Sequence, residues 1–144
     1  MERHFGKLGD VAALDIPYKK KKDLAVFRGR LSGLHKLTSE EQTDLPDREK
    51  CLKIPRCQVV LTHAKSRLVD AKLVGPTKGM STVIEGDYED PNSESVRIFA
   101  DGNMKLAEML HYKMIIMMEG NDVSAGLKWA LYSNSVVLID SISY

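Results

Sequence analysis

The sequence predicts an α/β fold built on a parallel sheet, and three neighbouring segments carry that expectation. Residues 113–118 (KMIIMM) are a near-continuous apolar run, the pattern of a strand covered on both faces. Residues 122–132 follow with Val123, Leu127 and Leu131 at i, i+4 and i+8, the spacing of a buried helical stripe. Residues 135–139 (SVVLI) form a second β-branched run. Strand, helix and strand in that order make a βαβ unit, whose strands are parallel and whose crossover is right-handed.

The remaining elements follow along the chain. Residues 1–23 are mixed and close on YKKKKD, whose lysines read as a solvated surface. Residues 24–29 (LAVFRG) suit a buried strand running into a turn at Phe27-Arg28-Gly29. Thr38 and Ser39 stand three residues before Glu41 and Gln42, a capping-box pattern that starts a short helix. Pro55 opens a helix at a position where its missing N–H costs nothing, and Cys57, Val60, Leu61 and Ala64 then recur at helical spacing. A strand through residues 58–62 is the alternative there. Residues 67–74 (RLVDAKLV) read as a short strand or edge segment. Residues 75–95, rich in Gly, Pro, Asn, Asp and Ser, read as a long loop with one short strand at 82–85. Asn103 is the expected N-cap of a helix that places Leu106, Met109 and Leu110 on one face.

Composition narrows the possible functions. A chain of 144 residues with 43% hydrophobic and 28% charged side chains encloses a core and is not disordered. Basic and acidic side chains number 21 and 20, so the net charge of +1 gives no global case for nucleic-acid or membrane attraction. No stretch reaches the roughly 18 apolar residues of a membrane span, and the first ten residues, MERHFGKLGD, have no apolar signal core. If Met1 is the true start, a cytosolic protein is expected. Cys51 and Cys57 lack Cys-x-x-Cys spacing and are expected as two unpaired or buried thiols. The four histidines are scattered, and their spacing supports no metal site. Glu85, Asp87, Glu89 and Asp90 read as a solvated acidic loop rather than a cation site.

Two segments have the character of ligand-binding strand exits, because open α/β sheets bind ligands beyond the carboxyl ends of their strands. The first is Glu119-Gly120-Asn121-Asp122-Val123-Ser124-Ala125. Gly120 permits close backbone approach, the following helix offers free N–H groups to an anion, and Ser124 adds a hydroxyl. Glu119, at the strand tip, is placed to take a sugar diol. Asp122 opposes a phosphate there, and a plain helix cap by Asn121 or Asp122 is the competing reading. The second segment is Arg28-Gly29-Arg30, where two fixed charges flank a glycine. A surface turn with two solvated arginines is its competing reading.

The segments AVFRG, PRCQVVLTHAKSRLVDAKL and LHYKMIIMMEGNDVSAGLKWALYSNSVVL, in that order, resemble glycosyltransferase family 90, the protein O-glucosyltransferase and capsular-associated-protein (CAP10-like) family. The matching residues are Phe27-Arg28-Gly29, Leu68-Val69-Asp70-Ala71, His111-Tyr112-Lys113 and Ser135-Val136-Val137, spread over about residues 24–140. The resemblance implies a GT-B enzyme, with this chain as most of its Rossmann-like, donor-binding C-terminal half. On that basis residues 1–23 are an incomplete lead-in, and residues 24–144 are the donor domain. It implies a UDP-sugar donor, UDP-glucose or UDP-xylose, and inverting, metal-independent transfer to a hydroxyl on a protein or glycan. It also implies no cofactor and a secretory-pathway setting for a eukaryotic parent. Carried over, Arg28 and Gly29 lie near the donor diphosphate, with Arg30 standing in for a second arginine, and Asn121–Ala125 surround the nucleotide. Animal glucosyltransferases of that family carry an arginine two residues before the lysine matching Lys128, where this chain has Gly126, so the resemblance does not carry over the donor sugar. No aspartate before Phe27 sits in a recognisable catalytic motif, so the general base is expected outside this chain. The chain then reads as a fragment. A non-catalytic nucleotide-binding or interaction module of the same fold is the alternative.

Overall fold

The computed structural model describes residues 6–86, 93–119 and 126–140. It is an α/β protein whose four-stranded parallel sheet is flanked by helices. The strands are β1 (Lys22–Arg30), β2 (Val69–Val74), β5 (Tyr112–Met117) and β6 (Val136–Ile139), in the order β2-β1-β5-β6. β1 pairs in parallel with β5 through Val26 and Ile115, and β5 pairs in parallel with β6 from Met114–Val136 to Met117–Ile139. β3 (Val83–Ile84) and β4 (Val96–Arg97) pair antiparallel as a separate two-stranded sheet. The helices are α1 (Gly6–Leu14), α2 (Ser39–Asp44), α3 (Asp47–Lys53), α4 (Pro55–Thr62), α5 (Leu106–Met109) and α6 (Leu127–Tyr132).

The chain divides into two compact units. The first comprises residues 1–27, 67–69 and 104–144. Its core joins Val11 of α1, Val26 of β1, Leu110, Ile115 of β5, and Trp129 and Ala130 of α6. Lys21, in the middle of the lysine run, is 4% exposed, which corrects the reading of that run as solvated. Its ammonium donates to Asp15 Oδ1 at 2.5 Å, to the Leu110 carbonyl at 2.6 Å and to Ser135 Oγ at 2.9 Å. All three ammonium protons are thus used, so this lysine is buried without an unmet donor.

Two helical expectations in this unit need correction. Asn103 does not cap α5. The N-cap is Lys105, whose N–H is taken by Glu108 Oε2 at 2.6 Å, so a carboxylate inside the helix reaches back to the cap residue. In α6 the buried residues are Trp129 and Ala130, whereas Leu131 is 61% exposed. The indole is the largest apolar surface on this short helix, and its burial sets the face that turns inward. The expected helix start at Asp122 lies outside the described residues.

The second unit comprises residues 28–66 and 70–103. Thr38 and Glu41 form the expected capping box, with Thr38 Oγ1 accepting from Glu41 N and Glu41 Oε2 from Thr38 N. Pro55 is the first residue of α4 as anticipated. The cysteines are not free thiols. Cys51 of α3 and Cys57 of α4 form a disulfide with a Cα–Cα distance of 4.9 Å. The connection at Ile54 folds the two helices against each other, and this brings together residues whose sequence spacing fits no known motif. Both cysteines and Ile54 are fully buried. β2 extends this unit's packing through Leu73, which exchanges backbone hydrogen bonds with Ile98 and Ala100.

Candidate functional site

The second unit carries the two arginines singled out from sequence, but not on a turn. β1 continues through Gly29 to Arg30, and Gly29 has no left-handed φ. The turn expected at Phe27-Arg28-Gly29 is therefore extended strand. Alternation along a strand then puts Arg28 and Arg30 on the same face.

Arg28 is committed to Asp70. One terminal nitrogen, Nη2, donates to both carboxylate oxygens at 2.8 and 2.9 Å, and Nη1 donates to the Asp70 carbonyl at 2.9 Å. The Arg28 side chain is 11% exposed and that of Asp70 33%. The multiple contacts fix the guanidinium rigidly, as the planar fork of arginine permits. Arg28 thus holds the second strand while presenting charge on this face.

Asp70 brings its own strand partner. Lys72 stands two residues on, so it shares the face of Asp70. Its Nζ donates to the Arg97 carbonyl at 2.6 Å, which ties β2 to β4. Burial holds the Lys72 ammonium below the usual lysine range. Asp70 pulls its pKa back up, and the like charges of Arg28 and Arg97 push it down again. Arg97 itself is paired with Asp101. Arg30 is exposed, and among the described residues it has no ion pair. Its side chain lies over Gly75, whose φ of +81° favours glycine. Behind it, Arg56 donates to the Arg30 carbonyl at 3.2 Å, and burial lowers the Arg56 pKa. Sequence reading had singled out neither Lys72 nor Arg97. The signal available was the alternation of RLVDAKLV, which sets Asp70 and Lys72 on one face.

The first unit carries the other candidate segment. Glu119 follows β5 and is exposed. Gly120, Asn121, Asp122, Val123, Ser124 and Ala125 lie outside the described residues. Gly126 is the N-cap of α6, and a Cβ placed on it would lie 3.3 Å from Met117 Cε and Sδ and from Trp129 Nε1. A long side chain at this position has no room without repacking Met117 or Trp129.

A cavity of about 470 Å³ in the second unit is lined by Asp47, Arg48, Glu49, Ser81 and Glu85. Asp47 there accepts the Ser81 N–H at 2.7 Å. Three carboxylates against one arginine make this lining unsuited to a phosphate. Among the described residues, no group of His, Cys, Asp and Glu side chains is arranged to hold a metal ion, and no helix is long and apolar enough to cross a membrane. No protein-family model, curated protein or solved structure matches this chain significantly.

Proposed function

We propose that this chain is a nucleotide-sugar-binding domain of a glycosyltransferase, Rossmann-like in fold and GT-B in parentage, that takes a UDP-sugar donor. One observation carries the reading. Glu119 stands at the carboxyl end of β5, a strand of the parallel sheet, where open α/β sheets bind ligands. The resemblance assigns Arg28 and Arg30 to a diphosphate, and the strand-exit rule assigns Glu119 to ribose or sugar hydroxyls. The Cys51–Cys57 disulfide adds support for a secretory setting, because such bridges persist in oxidising compartments. The reading assigns donor binding to this chain and no general base.

The bidentate engagement of Arg28 by Asp70 favours a second reading, a non-catalytic module of the same fold in which this arginine is structural. Calorimetric titration with UDP, UDP-glucose and GDP-mannose separates the two. Binding of UDP and UDP-glucose, with GDP-mannose much weaker, is expected for the donor domain. A folded chain that binds none of the three leaves the interaction module.

A further inference from the structure

We infer that Cys51, Cys57 and Met80, once the Cys51–Cys57 bridge is reduced, form a buried three-sulfur site for a monovalent copper ion. The two cysteines alone make no metal site, and Met80 supplies the third ligand. Its Sδ lies 3.7 Å from Cys57 Sγ, a contact in which the bridged sulfur has no proton to donate. Metal–thiolate bonds are about 2.3 Å long, so sulfurs about 4 Å apart can share one ion. Cys51 and Cys57 are 0% exposed and Met80 5%, which keeps water from the ion. Thiolate and thioether sulfurs are soft donors, the kind that selects monovalent copper.

The surroundings aim the thioether at the bridge. Lys78 and Gly79 both have left-handed φ, +53° and +85°, and the Met80 N–H donates to the Thr77 carbonyl at 3.1 Å. A lysine in that region is costly backbone. The turn is tied down on its far side, where the Ser81 N–H donates to Asp47 Oδ2 at 2.7 Å, one helical turn before Cys51 on α3. Cys57 is the third residue of α4, so a thiolate there sits at the positive end of that helix. Asp47 and Ser81 also line the cavity of about 470 Å³, whose carboxylates draw a cation toward the cluster. The chemistry balances. A dithiol reductant gives two electrons and two protons to the bridge and closes into its own disulfide. Copper stays monovalent, and as it binds, the two thiols release their protons to solvent. The bridged and metal-bound forms are two states of the same sulfurs, and neither depends on the nucleotide-sugar reading.

The test is anaerobic titration of the whole chain with Cu(I) held by bicinchoninate, a coloured chelator that competes for the ion. Wild type is first reduced with dithiothreitol and freed of it. It is compared with oxidised wild type, reduced Met80→Leu and Cys51→Ser/Cys57→Ser. Leucine keeps the volume of methionine and removes the sulfur. Reduced wild type is expected to withdraw one Cu(I) per chain, with an affinity about tenfold or more above that of Met80→Leu. The oxidised chain and the double variant are expected to withdraw none. Failure of reduced wild type to withdraw copper, equal affinity in Met80→Leu, or withdrawal by the oxidised chain overturns the site. Circular dichroism follows folding throughout. If the reduced chain unfolds, recovery of its helical signal on adding copper supports the site, and a chain still unfolded at saturating copper overturns it. Met80→Leu keeps both cysteines, so it tests the third ligand even where the double variant fails to fold.

Discussion

Lys21 Nζ lies 2.5 Å from Asp15 Oδ1, and their side chains are 0% and 7% exposed. Asp15 also accepts the backbone N–H groups of Ile16 and Asn134, while Lys21 reaches Leu110 and Ser135. The pair therefore links the chain after α1 to the start of β6 through a satisfied polar network inside the first unit. Removing one member leaves the other charge buried and unpaired. Lys21→Met is expected to cost about 3 kcal/mol. Urea unfolding checks it, and a midpoint within error of wild type would show that the network contributes nothing.

The same pair sets an acid limit. Burial acts to raise the Asp15 pKa, but hydrogen bonds from Asn134, Lys21 and Ile16 and the Lys21 charge together outweigh it, so the folded value lies below the ordinary one. A group whose folded pKa is depressed stabilises above its unfolded pKa and loses that contribution as pH falls through the folded value. Stability is thus expected to hold down to about pH 4 and to fall below it. Asp15→Asn should flatten that fall in denaturation midpoints measured from pH 6 to pH 2. An unchanged slope would assign the acid loss to other carboxylates.

The Cys51–Cys57 bridge closes a short loop, and both sulfurs are buried. Chain-entropy reasoning for so small a loop gives about 2 kcal/mol of stabilisation. Melting with and without a reductant, alongside Cys51→Ser/Cys57→Ser, should show the reduced protein and the double variant destabilised to a similar extent. A double variant as stable as the oxidised protein would make the bridge incidental.

What was legible in the sequence was local. The Thr38–Glu41 box and Pro55 at the head of α4 depend on neighbours a turn away, and β1, β5 and β6 are marked by apolar runs. What was hidden depends on partners far along the chain. Lys21 sits in a run of like residues, and nothing local says that Leu110 and Ser135 will receive its ammonium. Cys51 meets Cys57 only because the chain bends between two short helices. Arg28 reads from sequence either as a phosphate ligand or as a solvated arginine of a surface turn, because its partner, Asp70, lies on another strand. Leu131 fits a helical stripe by spacing, yet Trp129 decides which face of α6 is buried.

The Arg28–Asp70 pair predicts opposite effects on stability and binding. Asp70→Asn removes the carboxylate but leaves the Asp70 carbonyl bond to Nη1 intact. The loss of a charge-assisted contact at a partly exposed site is expected to cost about 1–2 kcal/mol. Removing that negative charge beside Arg28 should strengthen UDP-glucose binding about fivefold, taking about 1 kcal/mol for a charge a few ångströms away. Calorimetry of Asp70→Asn beside wild type reads both sides. Weaker UDP-glucose binding by a folded variant would mean that Asp70 positions Arg28 more than its charge opposes the ligand.

Gly126 offers a test with its own spectroscopic signal, since Trp129 is the single tryptophan of the chain. A side chain at this position grows toward Met117 Sδ and Cε and Trp129 Nε1, all buried in the first unit's core. Alanine adds only the Cβ, and the flexible end of Met117 is able to yield a few tenths of an ångström, so Gly126→Ala should shift the unfolding midpoint little. Arginine cannot be absorbed in that way. It must displace the indole or the thioether, and overpacking of this kind costs about 1–3 kcal/mol. Gly126→Arg is therefore expected to lower the midpoint and to move Trp129 emission to longer wavelength as the indole meets water. If Gly126→Arg keeps both the midpoint and the emission maximum, the arginine has found a path past Met117 and Trp129.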